Sequence, residues 1–118
     1  MATQWFLVFE SVEKAQSFIL DGKSITVDVG EKQICLFRKG QLFIATASVC
    51  PHQGAPMSRA WCDDEGGIIC PYHRYRYHCE NGRDLSSGGD PLTIYPVEIR
   101  PTGLYVGIET KKAWWQMF

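Results

Sequence analysis

The sequence predicts an all-β domain. Short runs of apolar residues alternate with polar ones at a period of two. Turn signals built on Gly, Pro and Asn separate these runs at close spacing. Only one short segment has a helical pattern, and there are no repeats or low-complexity tracts. Several short strands divided in this way read as a sandwich or barrel-like domain.

The elements follow in chain order. Ser11–Ile19 is the helical candidate, without a clear pair of caps. Ser24–Val29 sets Ile25, Val27 and Val29 against Ser24, Thr26 and Asp28, the pattern of a half-buried strand. Gln33–Arg38 and Gln41–Thr46 flank Lys39-Gly40, which reads as a hairpin turn. Leu92–Ile99 and Leu104–Ile108 are two more strands, joined around Pro101-Thr102-Gly103. Gly30, Gly66-Gly67, Asn81-Gly82 and Gly88-Gly89-Asp90-Pro91 mark other turns. Asp63-Asp64-Glu65 reads as the solvated tip of a hairpin. The segment Trp114-Trp115-Gln116-Met117-Phe118 either folds back on a sheet, which is the expectation, or forms an exposed contact patch.

At 118 residues the expectation is a single domain, 1–118, able to bury one core without staples. The net charge of −1, from 12 basic and 13 acidic residues, gives no global pull toward nucleic acid or membrane. The longest apolar run, Trp5 to Phe9, is too short to span a bilayer, and no export signal is evident. The expected compartment is the cytoplasm, where the five cysteines stay reduced unless they bind metal. Cys35 reads as a small buried hydrophobe. Cys62 and Cys79 lie in more polar stretches.

Chemistry concentrates in two proline-bearing boxes, Cys50-Pro51-His52-Gln53-Gly54 and Cys70-Pro71-Tyr72-His73, separated by 17 residues between His52 and Cys70. Both fall between strands, where loops on a rigid scaffold can converge. Each box supplies one sulfur and one nitrogen. Two such loops can give both sulfurs to one iron and both nitrogens to the other, as in a two-iron cluster with Cys₂ and His₂ ligation. Zinc also accepts two thiolates and two imidazoles, although its common fingers group the cysteines together and the histidines together. The order therefore favours iron and leaves zinc as the alternative. No carboxylate pair, Ser–His–Asp set or phosphate loop is visible, so the expectation is a protein that is not itself an enzyme. Tyr72-His73-Arg74-Tyr75-Arg76-Tyr77-His78 interleaves aromatic and basic residues, as a single-stranded nucleic-acid site would. It reads better as the second metal loop and the strand leaving it, since the chain has no wider basic footprint.

With Ala55-Pro56-Met57 completing the first box, the two boxes resemble those of Rieske-type ferredoxins and Rieske domains. Leu36-Phe37-Arg38 and Pro91–Val97 are similar to the flanks in that family. The resemblance implies three small antiparallel sheets with two cluster-binding loops at one end. It implies one [2Fe–2S] cluster per chain, with Cys50 and Cys70 on the inner iron and His52 and His73 on the outer one near solvent. The sequence departs from the family at Arg74, where Gly is usual, and at His78, where Asp is frequent. Ala55 and Tyr72 stand where high-potential members carry a disulfide, which places the resemblance with the ferredoxin and oxygenase branch. Tyr77 matches a position where a tyrosine hydroxyl can reach a ligand cysteine sulfur. The other reading of Tyr77 is a core aromatic with its hydroxyl turned to solvent.

Two neutral imidazoles in place of two thiolates make the ligand set less negative, so an electron enters more easily than in an all-cysteine cluster. The resemblance implies a soluble one-electron carrier whose partners are a reductase as donor and an oxygenase-type enzyme as acceptor. The alternatives are a zinc-binding structural or regulatory module and a Rieske-like small subunit of a larger redox enzyme, as in nitrite reductase.

Overall fold

The computed structural model describes residues 2–30, 32–49, 56–63, 67–70, 76–78, 82, 85 and 92–110. Along the chain lie β1 (Ala2–Phe9), α1 (Val12–Phe18), β2 (Ser24–Val29), β3 (Lys32–Lys39) and β4 (Leu42–Ala47). A 3-10 turn (Met57–Arg59) then leads to β5 (Trp61–Cys62), β6 (Gly67–Ile69) and β7 (Arg76–His78). The chain ends in β8 (Ile94–Tyr95), β9 (Val97–Arg100) and β10 (Gly103–Thr110). Every strand pairing is antiparallel, and the strands form three sheets, ordered β1-β10-β9, β2-β3-β4-β8 and β5-β6-β7. This is the architecture that the resemblance implied.

The layering follows from β3 and β4, which are covered on both faces. Ile34 and Leu36 of β3 pack with Phe43 and Ala45 of β4 and with Leu104, Val106 and Ile108 of β10. The residues between them face the other way. Cys35, Phe37 and Ile44 pack with Cys62, Ile68 and Tyr77 of the small sheet. The four-stranded sheet is thus the middle layer between two cores. A strand buried on both sides needs no polar alternation, which is why Ile34-Cys35-Leu36-Phe37 reads as one apolar run. β2, at the edge of the same sheet, keeps the alternating pattern.

The hairpin turn at Lys39-Gly40 is as expected: Lys39 pairs with Leu42, and Gly40 sits at φ 61°. The β9–β10 hairpin also turns at Pro101-Thr102-Gly103. Other elements differ from the sequence reading. β1 was not expected as a strand, yet it pairs along β10 from Ala2↔Thr110 to Phe9↔Leu104, with a register shift between Leu7 and Phe9. The helix does have an N-cap, because the Ser11 hydroxyl accepts the Lys14 N–H at 3.1 Å. Leu92–Ile99 is not one strand. It divides at Pro96, with β8 pairing to β4 and β9 to β10. Proline has no N–H for a ladder, and the chain changes sheets there. The segment Trp114–Phe118 lies outside the described residues, as does Cys79. Among the described residues no helix is long and apolar enough to cross a membrane.

Cys35 is fully buried, with its sulfur 3.9 Å from the Thr26 hydroxyl. Burial pushes its thiol above the ordinary range, and the weak hydroxyl contact offsets only part of that. The native state therefore holds this proton more tightly than the unfolded chain. The stabilisation is full below the unfolded pKa and is lost as pH rises through the folded one. In thermal unfolding followed by circular dichroism, Cys35→Val should flatten part of the stability loss seen from about pH 8.5 upward.

Candidate metal centre

Both boxes sit on β-hairpins whose necks are tied. Val49 and Pro56 form an isolated antiparallel bridge, which ties the two ends of the six-residue segment 50–55. The Met57 N–H donates to the Ser48 carbonyl at 2.8 Å, just below that bridge. The second box has the same frame. Ile69 of β6 pairs with Arg76 of β7, which ties the two ends of the six-residue segment 70–75. Cys50 and Cys70 are therefore each the first loop residue after a paired neck, with His52 third in one loop and His73 fourth in the other.

Cys70 is described and fully buried, in one apolar cluster with Met57, Ala60, Cys62, Ile68, Tyr77 and Leu92. Cys50, His52 and His73 lie outside the described residues, as do Ala55, Tyr72 and Arg74. A cysteine with no exposure at the base of a hairpin loop suits a ligand to an iron on the protein side. The two-thiolate, two-imidazole donor set on two loops of equal length thus fits a two-iron cluster.

A third segment closes against the second hairpin. The Gly82 N–H donates to the His78 carbonyl, and the Gly82 carbonyl accepts from Leu92 N–H, both at 2.8 Å. The Leu85 N–H donates to the Arg76 carbonyl at 2.8 Å, at the neck of the second loop. Gly82 has φ 73°, and an added Cβ would overlap the Leu92 carbonyl oxygen. Only glycine combines that backbone with that approach. Gly82 thus ties this third segment to β7 and to Leu92. The turn expected at Gly88–Pro91 lies outside the described residues.

β7 divides its side chains between two environments. Tyr77 points into the core with no exposure, while Arg76 and His78 on either side are half-buried. The reading of Tyr77 with its hydroxyl turned to solvent is therefore overturned. Among the described residues no buried side-chain nitrogen or oxygen lacks a hydrogen-bond partner, so the hydroxyl is satisfied inside the protein. A buried phenol whose hydroxyl bond were missing would cost about 1–3 kcal/mol.

Two further sequence readings change. Asp63 is not a solvated tip residue. Its Oδ1 accepts the Gly67 N–H and its Oδ2 accepts the Arg76 Nε–H, both at 2.7 Å. Cys62, placed in a polar stretch, is buried in the apolar cluster beside Cys70. The aromatic–basic run ends on a strand as expected, β7, where Arg76 pairs with Asp63 and Tyr77 is buried. Its stacking role for nucleic acid loses both. The Asp63–Arg76 contact had no local signal, because the partners lie 13 residues apart.

The comparisons agree with this geometry. The family model for the Rieske [2Fe–2S] domain matches residues 4–96. The chain belongs to that family, and its cofactor is a [2Fe–2S] cluster. The ferredoxin subunits of 3-phenylpropionate/cinnamic acid dioxygenase from Escherichia coli (strain K12) and from Shigella boydii serotype 4 (strain Sb227) are similar to it. Each is 29% identical over 89 residues, covering 75% of this chain and 83% of the relative. Among solved structures, a chain from the complex of reduced oxygenase and oxidized ferredoxin in carbazole 1,9a-dioxygenase superposes with TM-score 0.72. It is 29% identical and covers 92% of this chain and 97% of its own. A Mycobacterium tuberculosis protein assigned as NADH-dependent nitrite reductase small subunit gives TM-score 0.79 at 21% identity, covering 94% and 100%, which shows the shared fold. Of the two metals open on spacing alone, the family favours iron–sulfur over zinc.

Two substitutions test the frame. Gly82→Ala should destabilise the protein by about 2 kcal/mol in denaturant titration, through left-handed backbone strain and displacement of Leu92. Tyr77→Phe removes a buried hydroxyl from the cluster that holds Cys70 and keeps the ring. A hydrogen bond to a cluster sulfur favours the more negative reduced state, so its loss should lower the midpoint potential. Voltammetry should show a fall of several tens of millivolts, where about 59 mV is tenfold for one electron. No fall would leave Tyr77 as packing alone.

Proposed function

We propose that this chain, as a single domain over 1–118, is a one-electron carrier that holds its [2Fe–2S] cluster with Cys50, His52, Cys70 and His73. The pair of matched hairpin loops, each opening on a cysteine directly after a tied neck, carries the ligand assignment. The cluster supplies storage for one electron at a potential above that of all-cysteine ferredoxins. The chain's own residues hold the cysteine side dry, through Met57, Ala60, Tyr77 and Leu92.

A reductase is the proposed donor and a terminal oxygenase, or a similar redox enzyme, the proposed acceptor. The ferredoxin subunits of dioxygenases that resemble this chain support that pairing, as does a similar chain from an oxygenase–ferredoxin complex. Catalysis belongs to those partners and not to this chain. The proposed compartment is the cytoplasm, where the ligand thiolates and the buried Cys35 thiol remain reduced. The small-subunit alternative rests on a likeness of fold.

Elemental analysis of protein purified without air should give two irons and two acid-labile sulfides per chain. Zinc without sulfide would overturn the assignment. His73→Cys should still hold a cluster, at a lower potential, because a negative ligand replaces a neutral one. An unchanged potential in a cluster-bearing variant would remove His73 from the ligand set.

A further inference from the structure

Arg76 is the residue at which three segments meet. Its backbone closes the neck of the second metal loop opposite Ile69. Its carbonyl accepts the Leu85 N–H from the third segment at 2.8 Å. Its Nε donates to Asp63 Oδ2 at 2.7 Å. Asp63 in turn closes the β5–β6 turn, since its Oδ1 accepts the Gly67 N–H at 2.7 Å and its own N–H donates to the Gly67 carbonyl at 2.9 Å. One carboxylate therefore joins the strand that enters the second loop to the strand that leaves it.

Gly67 has the form this contact requires. A Cβ there would overlap Arg76 Nε and would lie 2.7 Å from Asp63 Oδ2. The ion pair thus rests on bare backbone at β6. The two side chains are 30% and 28% exposed, so water screens the pair only in part.

We propose that Asp63 and Arg76 form a charge-neutral brace of the second metal loop: together they position its two ends, and each cancels the other's effect on the cluster's potential. This rests on the reading that residues 70–75 carry Cys70 and His73 as ligands. Reduction adds one negative charge to the cluster. Removing the anion of the pair favours that charge, and removing its cation opposes it. A brace that fixes both ends of the segment also slows loss of the cofactor.

The test measures midpoint potential by voltammetry and cluster half-life by visible absorbance, at low and high salt, on the cluster-loaded protein. Asp63→Asn should raise the potential and Arg76→Gln should lower it. Each change should be about threefold in the reduction equilibrium, roughly 30 mV at about 59 mV per tenfold. Both shifts should shrink at high salt. Each variant should also shorten the half-life about threefold. The double variant Asp63→Asn/Arg76→Gln should return the potential toward wild type while its half-life stays short. That pattern separates the two roles, because the charges cancel and the lost brace does not.

Potential shifts of the same sign, or none, overturn the electrostatic role, and unchanged half-lives overturn the brace. Should Asp63→Asn fail to fold, Asp63→Glu retains the charge and misplaces it. It should then hold the potential and shorten the half-life, and the reverse result overturns the proposal. A wild-type protein without iron–sulfur absorption overturns the ligand reading and this inference together. A coloured protein with the wrong variant pattern overturns this inference alone.

Discussion

The constraint that organises this molecule is the tied neck. A metal loop can aim a buried cysteine and a histidine three or fewer residues later only if both of its ends are fixed. Here the ends are fixed by pairing, Val49 with Pro56 and Ile69 with Arg76. Each neck then needs its own support. The first grows from β4, a strand of the middle sheet that is covered by a core on each face. The second belongs to a sheet of very short strands, which cannot be stable alone. Its stability comes from the cluster of Phe37, Ile44, Met57 and Leu92 pressed against Ile68, Cys70 and Tyr77. The metal end of the protein therefore depends on side chains from β3 and β4, in the middle of the fold.

The chemistry of the boxes was legible in the sequence, because ligand type and spacing are local properties. The hairpins at Lys39-Gly40 and Pro101–Gly103 were legible for the same reason: turn residues announce themselves. The missed elements share a different property. β1 runs through Trp5–Phe9, a continuous apolar stretch, so it shows no alternation to read. β5, β6 and β7 span only two or three residues each, too few to establish any period. The Ser11 cap is followed at the third position by Lys14 and not by Glu or Gln, so it lacks the box signature. The break at Pro96 was visible as a proline. What it divides, one sheet from another, is a tertiary fact.

Burial explains the errors in assigning polarity. Asp63 stands beside Asp64 and Glu65, and a run of acids reads as solvated. Its contacts with Gly67 and Arg76 exist only once β6 lies between β5 and β7. Cys62 and Tyr77 were equally undetermined. Cys62 pairs with Ile68, and Ile68 pairs with Tyr77, so all three cross the small sheet on one face. That face is the buried one. A composition window sees polar neighbours, whereas the sheet sorts them by parity.

That sorting has a functional consequence at β7. Two of its residues meet the second box from different surroundings. Tyr77 faces inward, in the same dry cluster as Cys70, where a hydroxyl interaction is felt at low dielectric and salt has little reach. Arg76 faces the other way, partly exposed and paired with Asp63, where charge acts at longer range and salt weakens it. Neither residue is in a box. The parity of one short strand decides which of its side chains joins the buried cluster of Cys70 and which pairs with Asp63. A one-residue register slip in β7 would carry an arginine into the apolar cluster and a tyrosine onto the ion pair. The turn closed by Asp63 and the glycine at position 67 oppose that slip, because only the present register lets the guanidinium lie across bare backbone. The same contact that ties the loop therefore also fixes which side chain faces Cys70.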